Sequence, residues 1–228
     1  MEALRAGSPL DRVMIAKGVG GPRIQEIIDA CRRAQIPVRF EPREALDRIA
    51  KGTVHQGVVA IGSESGFVSL QDVMGAGMLV LLDGVEDPHN LGAIARSAHA
   101  AGAGAVIIPE RRAAGVTDVV TKAAAGALEY IPLVRVKNLG NAMEELKEAG
   151  YWIYGLDERG ETDHWDVTWN TPTAIVLGAE GHGLHRLVRD RCDALIRIPM
   201  AGEVASLNVS VASGVVLFEW RRKHPIPQ

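Results

Sequence analysis

From residue 78 onward the sequence repeats one unit: a short run of consecutive apolar residues, a polar or glycine-rich turn, then a stretch with helical spacing. Met78-Leu79-Val80-Leu81-Leu82 sets the pattern. A strand that is apolar at every position belongs in a parallel sheet covered on both faces. The remaining strands are expected at 105–109, 133–136, 151–156, 173–177 and 194–198. Helices are expected at 91–101 (ended by Gly102), 116–128, 138–149 and from about Ser206 to Lys223. The first 63 residues form a smaller α/β unit with strands at 12–16, 37–40 and 57–61. Its helices open at Pro22 and Pro42, and Ile24, Ile27, Ile28 and Cys31 give the first of them one apolar stripe. Glycine and serine concentrate between the two units. The expected organisation is therefore 1–63, a linker at 64–77, and 78–228.

Charge and cysteine content narrow the class. The net charge is −3, yet residues 1–63 carry 10 Lys/Arg against 7 Asp/Glu, a net +3. That basic excess suits an N-terminal contact with a polyanion. The two cysteines, Cys31 and Cys192, lie far apart without metal-ligand spacing and are expected to be reduced core thiols. No apolar run approaches the ~20 residues of a membrane span, and the first residues do not read as a secretory leader. The expected compartment is the cytoplasm, with no membrane partner.

Three segments following strands carry polar groups where ligands bind in open α/β sheets. The first is Asp83-Gly84-Val85-Glu86-Asp87-Pro88-His89-Asn90, leading into a helix with Leu91, Ile94, Ala95 and Ala98 on its apolar face and Arg96 off it. Asn90 occupies an N-cap position, and a solvated arginine is the plain reading of Arg96. The second is Leu177-Gly178-Ala179-Glu180-Gly181-His182-Gly183, whose glycines admit a ligand close to the backbone. Glu180 suits hydroxyl or guanidinium donors better than phosphate. His182 and His185 read as surface histidines. Neither a dinucleotide fingerprint nor a P-loop is present, which weighs against a nicotinamide-dependent dehydrogenase. The third is Ile198-Pro199-Met200 followed by Ser206-Leu207-Asn208-Val209-Ser210-Val211-Ala212. Ser206 is a natural N-cap there, and Leu207, Val211, Val215, Phe218 and Arg222 fall on one helical face.

Taken together, Asn90 with Arg96, Gly178 with Glu180, and Ile198-Pro199-Met200 with Ser206-Leu207-Asn208 resemble the three signature motifs of the SpoU (TrmH) family of RNA ribose 2′-O-methyltransferases, within the SPOUT superfamily. Val54-His55-Gln56-Gly57-Val58-Val59-Ala60 and Ala125-Gly126-Ala127-Leu128-Glu129 extend the resemblance over nearly the whole chain. Within the family it is nearest to the branch that methylates a guanosine of 23S ribosomal RNA. The resemblance implies an α/β SPOUT domain, with a parallel sheet and a trefoil knot, behind a small N-terminal ribosomal-protein L30e-like domain that binds RNA. It implies S-adenosyl-L-methionine held around Leu177, Gly178, Ile198, Pro199, Met200 and Leu207. Catalytic roles fall to Asn90, Arg96, Glu180, Ser206 and Asn208, with no metal required. RNA contacts fall to Arg23, Arg32, Arg33 and His55, and the working state is a homodimer using the last helix. Transfer RNA as the substrate and a catalytically silent RNA-binding assembly factor are the alternatives.

Overall fold

A computed structural model of the chain describes residues 10–50, 55–62, 67–111, 113–179, 181, 183–203 and 206–226. The chain divides into two compact units, 1–66 and 67–228.

The first unit contains β1 (Leu10–Ala16), α1 (Pro22–Arg33), β2 (Val38–Glu41), α2 (Arg43–Ala50) and β3 (Val58–Gly62). Its sheet runs β2-β1-β3, with β1 parallel to β2 and antiparallel to β3. Side chains alternate across β1, so each face buries its own helix. Val13 and Ile15 pack with Cys31 of α1, whereas Met14 and Ala16 pack with Leu46 of α2.

The second unit contains β4 (Phe67–Val68), β5 (Met78–Asp83), α3 (Pro88–Ala101), β6 (Ala105–Pro109), α4 (Asp118–Ala124), β7 (Leu133–Val136), α5 (Leu139–Glu148), β8 (Trp152–Leu156), β9 (Thr162–Asp163), β10 (Thr173–Gly178), α6 (Arg186–Arg189), β11 (Ala194–Arg197) and α7 (Val209–Lys223). The eight strands are ordered β4-β7-β6-β5-β10-β8-β11-β9, and their pairings are parallel. β5 is buried along its whole length, as an all-apolar strand requires. Met78, Val80 and Leu82 face one core with Leu91, Ile94 and Trp220; Leu79 and Leu81 face the other with Met143 and Leu146. The last helix is tied down by two bonds. Trp220 Nε1 donates to Thr173 Oγ1 at the start of β10 (2.8 Å), and Arg221 Nε donates to the Ala101 carbonyl at the end of α3 (2.7 Å). No helix among the described residues is long and apolar enough to cross a membrane.

Several boundaries differ from expectation. Residues 67–77 are not linker. Phe67-Val68 pairs with Leu133-Val134 as the edge strand, and Leu70 and Val73 are buried in the second unit's core. The helix expected from Leu91 begins at Pro88, capped by Asp87, whose side chain accepts from the His89 N–H. Asn90 is therefore a first-turn residue and not the cap. The stretch 116–128 breaks because Ala125 and Gly126 both take left-handed backbone, leaving a separate short turn at Ala127–Glu129. The last helix begins at Val209, capped by Asn208 and not by Ser206. Its inner face is Val209, Ala212, Ser213, Val216, Leu217 and Trp220. The face of Leu207, Val211, Val215 and Phe218 turns outward.

Candidate functional site

A cleft of about 390 Å³ opens beyond the carboxyl ends of β8, β10 and β11, beside the start of α7. Leu177 and Gly178 close β10, Ile198 and Met200 follow β11, and Ser206, Leu207, Val209 and Ala212 come from the approach to α7 and its first turns. The fourth wall, which the motifs did not indicate, is Leu156-Asp157-Glu158-Arg159 after β8. The position follows from strand order: β8 lies between β10 and β11, so the loops leaving three neighbouring parallel strands converge at one end.

The glycine turn is shaped by backbone bonds. Ala179 and Gly183 exchange N–H···O bonds of 3.1 and 3.0 Å, which hold these two residues side by side. The His185 N–H donates to Asp83 Oδ2 at 2.7 Å, and the His185 ring lies 3.0 Å from Asp83 Oδ1. His185 thereby ties the turn to the neighbouring β5.

Of the residues expected to hold a cofactor, Leu177, Gly178, Ile198, Met200 and Leu207 line the cleft, and Ser206 joins them. Pro199 does not line it. Asn90 and Asn208 meet directly: Asn208 Nδ2 donates to Asn90 Oδ1 at 3.0 Å, while Asn208 Oδ1 accepts from the N–H groups of Ser210 (2.9 Å) and Val211 (3.4 Å). One amide thus caps α7 and joins it to α3. Replacing Asn208 with Ala is expected to lower stability by about 1 kcal/mol or more, read as a fall in the thermal midpoint. Asn208→Asp keeps the capping oxygen and recovers most of the loss. An unchanged midpoint in the Ala variant would show that the cap is dispensable.

Arg96 stands on the exposed face of α3. It makes no hydrogen bond or ion pair among the described residues and does not line the cleft. Glu180, like His182, lies outside the described residues. Arg23, Arg32 and Arg33 are all exposed on α1, where Arg32 approaches Asp29 at 3.8 Å. His55 differs from expectation. Its side chain is 7% exposed; Nδ1 accepts from the Gly57 N–H (3.1 Å) and Nε2 meets Asp47 Oδ1 (2.8 Å). With Nδ1 an acceptor, Nε2 carries the proton and donates to Asp47. Both ring nitrogens of His55 are thus engaged within the small unit and its side chain is turned away from solvent.

Asp157 is the functional candidate that motif reading missed. Its side chain is 1% exposed. Oδ1 accepts from the Arg159 N–H (3.0 Å) and lies 3.1 Å from Arg159 Nε, whereas Oδ2 has no partner among the described residues. An acidic residue directly after a strand end was the available signal. Neither cysteine offers a nucleophile: both are free, burial raises the Cys31 thiol, and burial pushes Cys192 up to about 12. Among the described residues no cluster of His, Cys, Asp and Glu could hold a metal ion.

The cleft combines apolar walls, exposed turn backbone and one buried unsatisfied acceptor. That donor and acceptor set fits an adenosyl compound, with a flat apolar base and hydroxyl donors on its sugar.

Comparison with known proteins covers nearly the whole chain. Residues 77–218 match the SpoU rRNA Methylase family, and residues 1–67 match the RNA 2′-O ribose methyltransferase substrate-binding family. The chain is 40% identical to YacO of Bacillus subtilis, named as a TrmH-family tRNA/rRNA methyltransferase, over 99% of this chain and 94% of that one. The AdoMet-bound rRNA methyltransferase of Sinorhizobium meliloti has a similar structure: TM-score 0.75, 27% identity, covering 97% of this chain and 83% of that one. The TrmH/SpoU tRNA-modifying enzyme of A. aeolicus superposes with a TM-score of 0.60 at 29% identity, over 68% and 80%.

Proposed function

The chain belongs to the SpoU family of RNA 2′-O-ribose methyltransferases, and on that premise we propose that it methylates the ribose 2′-hydroxyl of a guanosine in 23S ribosomal RNA. The observation carrying the chemistry is the cleft at the ends of β8, β10 and β11, where residues of the second and third signature segments meet the loop after β8. The family's cofactor is S-adenosyl-L-methionine, which when bound supplies an electrophilic methyl group. Leu177, Ile198, Met200 and Leu207 would enclose its base, Gly178 would let it approach the backbone, and Asp157 would offer the acceptor.

The remaining work is to align the ribose and stabilise its oxygen as it loses a proton. Arg96 suits the second task. A guanidinium keeps its proton throughout the physiological range and is a poor base. It is well formed to clamp a phosphate or a developing 2′-alkoxide. The Asn90–Asn208 pair fixes the start of α3 against the start of α7, and with it the helix that presents Arg96. Glu180 is proposed to orient the arginine or the target nucleotide.

The ribosomal substrate is favoured by the N-terminal unit, with its net positive charge and the exposed Arg23, Arg32 and Arg33. The working form proposed is a homodimer in the cytoplasm. Val211, Val215 and Phe218 form an exposed apolar stripe along α7. Ser97, the residue after Arg96, faces Gly214 of that helix. A second copy covering the stripe would shelter Arg96 from water and strengthen its hold on an anion. We read the insertion of late strand β10 between β5 and β8 as support for the family's threaded C-terminal segment.

Transfer of tritium from labelled S-adenosylmethionine to 23S ribosomal RNA, followed by mapping of alkali-resistant linkages, tests the reading. One resistant guanosine is the expected result. Label appearing in transfer RNA instead would keep the chemistry and overturn the substrate. Cofactor binding without incorporation into either RNA would favour a silent RNA-binding role.

A further inference from the structure

Buried carboxylate oxygens in native proteins are hydrogen-bonded with few exceptions. Asp157 leaves one of its two oxygens unpaired among the described residues, and does so in the wall of the cleft. The rest of the residue is fully engaged. Its N–H donates to the Ile196 carbonyl (3.0 Å), its carbonyl accepts from the Gly160 N–H (3.0 Å), and Oδ1 receives the Arg159 backbone N–H and approaches Nε of the same residue. These contacts fix the carboxylate plane and leave Oδ2 free to serve something else. Oδ2 faces Gly183 of the glycine turn: a Cβ built on that glycine would stand 3.3 Å from it. The bare glycine leaves the oxygen uncrowded from that side.

A carboxylate oxygen only accepts, so its partner must be a donor. The donors of an adenosyl sulfonium are its ribose hydroxyls, its exocyclic amine and its ammonium group. Asp157 already has a counter-charge in Arg159 on its other oxygen, so a neutral donor completes the site without further charge. The exocyclic amine belongs to the flat base, which the apolar side chains of Leu177, Ile198 and Leu207 suit, and a 2′,3′-dideoxy ligand retains it.

Resting on the cofactor reading above, we propose that Asp157 is a cofactor-recognition residue whose Oδ2 accepts a hydrogen bond from a ribose hydroxyl of the adenosyl group. Asp157 thereby selects adenosyl ligands that carry an intact sugar, a role none of the three signature segments supplies.

Calorimetric titration of the whole protein with S-adenosylhomocysteine, 5′-methylthioadenosine and the 2′,3′-dideoxy form of the latter tests this. Asp157→Ala is expected to weaken the first two ligands by the same factor, about tenfold to a hundredfold. The near-isosteric Asp157→Asn should give a smaller loss with an unchanged thermal midpoint, separating recognition from folding. The dideoxy ligand should bind wild type weakly and lose nothing further in either variant. A loss confined to S-adenosylhomocysteine would move the contact to the ammonium and overturn the proposal. An equal loss for the dideoxy ligand, or no loss for any ligand, overturns it also. If the wild-type protein binds none of the three, the cofactor reading itself fails and the proposal falls with it.

Discussion

Arg96→Ala is expected to reduce methyl transfer by about 10²–10³-fold, the scale seen when one preorganised donor to a developing oxyanion is removed. The same substitution should leave the protein folded and binding cofactor as before. The structure gives the reason for both halves. Arg96 is exposed on α3, has no polar partner among the described residues and stays outside the cleft wall. The fold therefore does not lean on it, and its removal belongs with surface changes worth within about 0.5 kcal/mol. Arg96→Lys keeps the charge and loses the planar fork, so it should recover only part of the rate. The measurements are single-turnover methyl transfer, thermal unfolding and calorimetric cofactor binding. Wild-type turnover in the Ala variant would reduce Arg96 to an ordinary solvated side chain and remove the proposed clamp.

The second large effect is expected at Gly178, and here fold and binding fail together. Gly178 closes β10 in register with Asp83 of β5. A Cβ there would collide with the Gly183 carbonyl group and stand 2.6 Å from the Leu184 nitrogen. Every obstacle is backbone, so no side chain can swing aside. The mutual Ala179–Gly183 bonds must break, or the turn must shift away from the cleft. Gly178→Ala should cost about 2 kcal/mol of stability and weaken cofactor binding by more than tenfold. Gly181 provides the contrast. It has a positive φ of 75° but nothing within 4 Å of a built Cβ, so Gly181→Ala adds only the backbone strain of about 1–2 kcal/mol. Unfolding midpoints and titrations of the two variants separate the effects. A Gly178→Ala protein with wild-type midpoint and affinity would show that the turn is not what shapes the cleft.

The sequence made the βα alternation legible because central strands such as β5 and β6 are apolar runs and helices such as α3 carry an apolar stripe. Leu91, Ile94, Ala95 and Ala98 are all fully buried, as their spacing requires. Short elements escaped. Phe67-Val68 is only two residues long, too short to show a period, and its glycine-rich surroundings read as linker. Cap positions slipped where two candidates stood close together. Asp87-Pro88 carries the better N-terminal signal, an acceptor followed by proline at the first helical position, yet Asn90, directly before the apolar stripe, is a cap-type residue as well. On α7 the sequence offers two apolar faces, and periodicity alone does not say which turns inward. Packing against α3 and β10 decides it. His55 and Asp157 show the same limit from opposite sides. The His55 side chain is buried and hydrogen-bonded within its own unit, and Asp157, outside the motifs, lines the cleft, because burial and partners are properties of the assembled fold.

The place of β10 has a consequence for how the chain is made. Synthesis delivers β5, β6, β7 and β8 first, but the sheet order puts residues 173–178 between β5 and β8. Until that stretch leaves the exit tunnel, two apolar strands of a nascent chain have open hydrogen-bonding edges and no cleft exists between their loops. Such late, sequence-distant pairing is slow and leaves edges exposed to wrong partners. The unit therefore cannot mature from its N-terminus forward: it depends on its final third arriving, and a chain stalled before residue 173 would be a client for chaperones or proteolysis and not a partial enzyme.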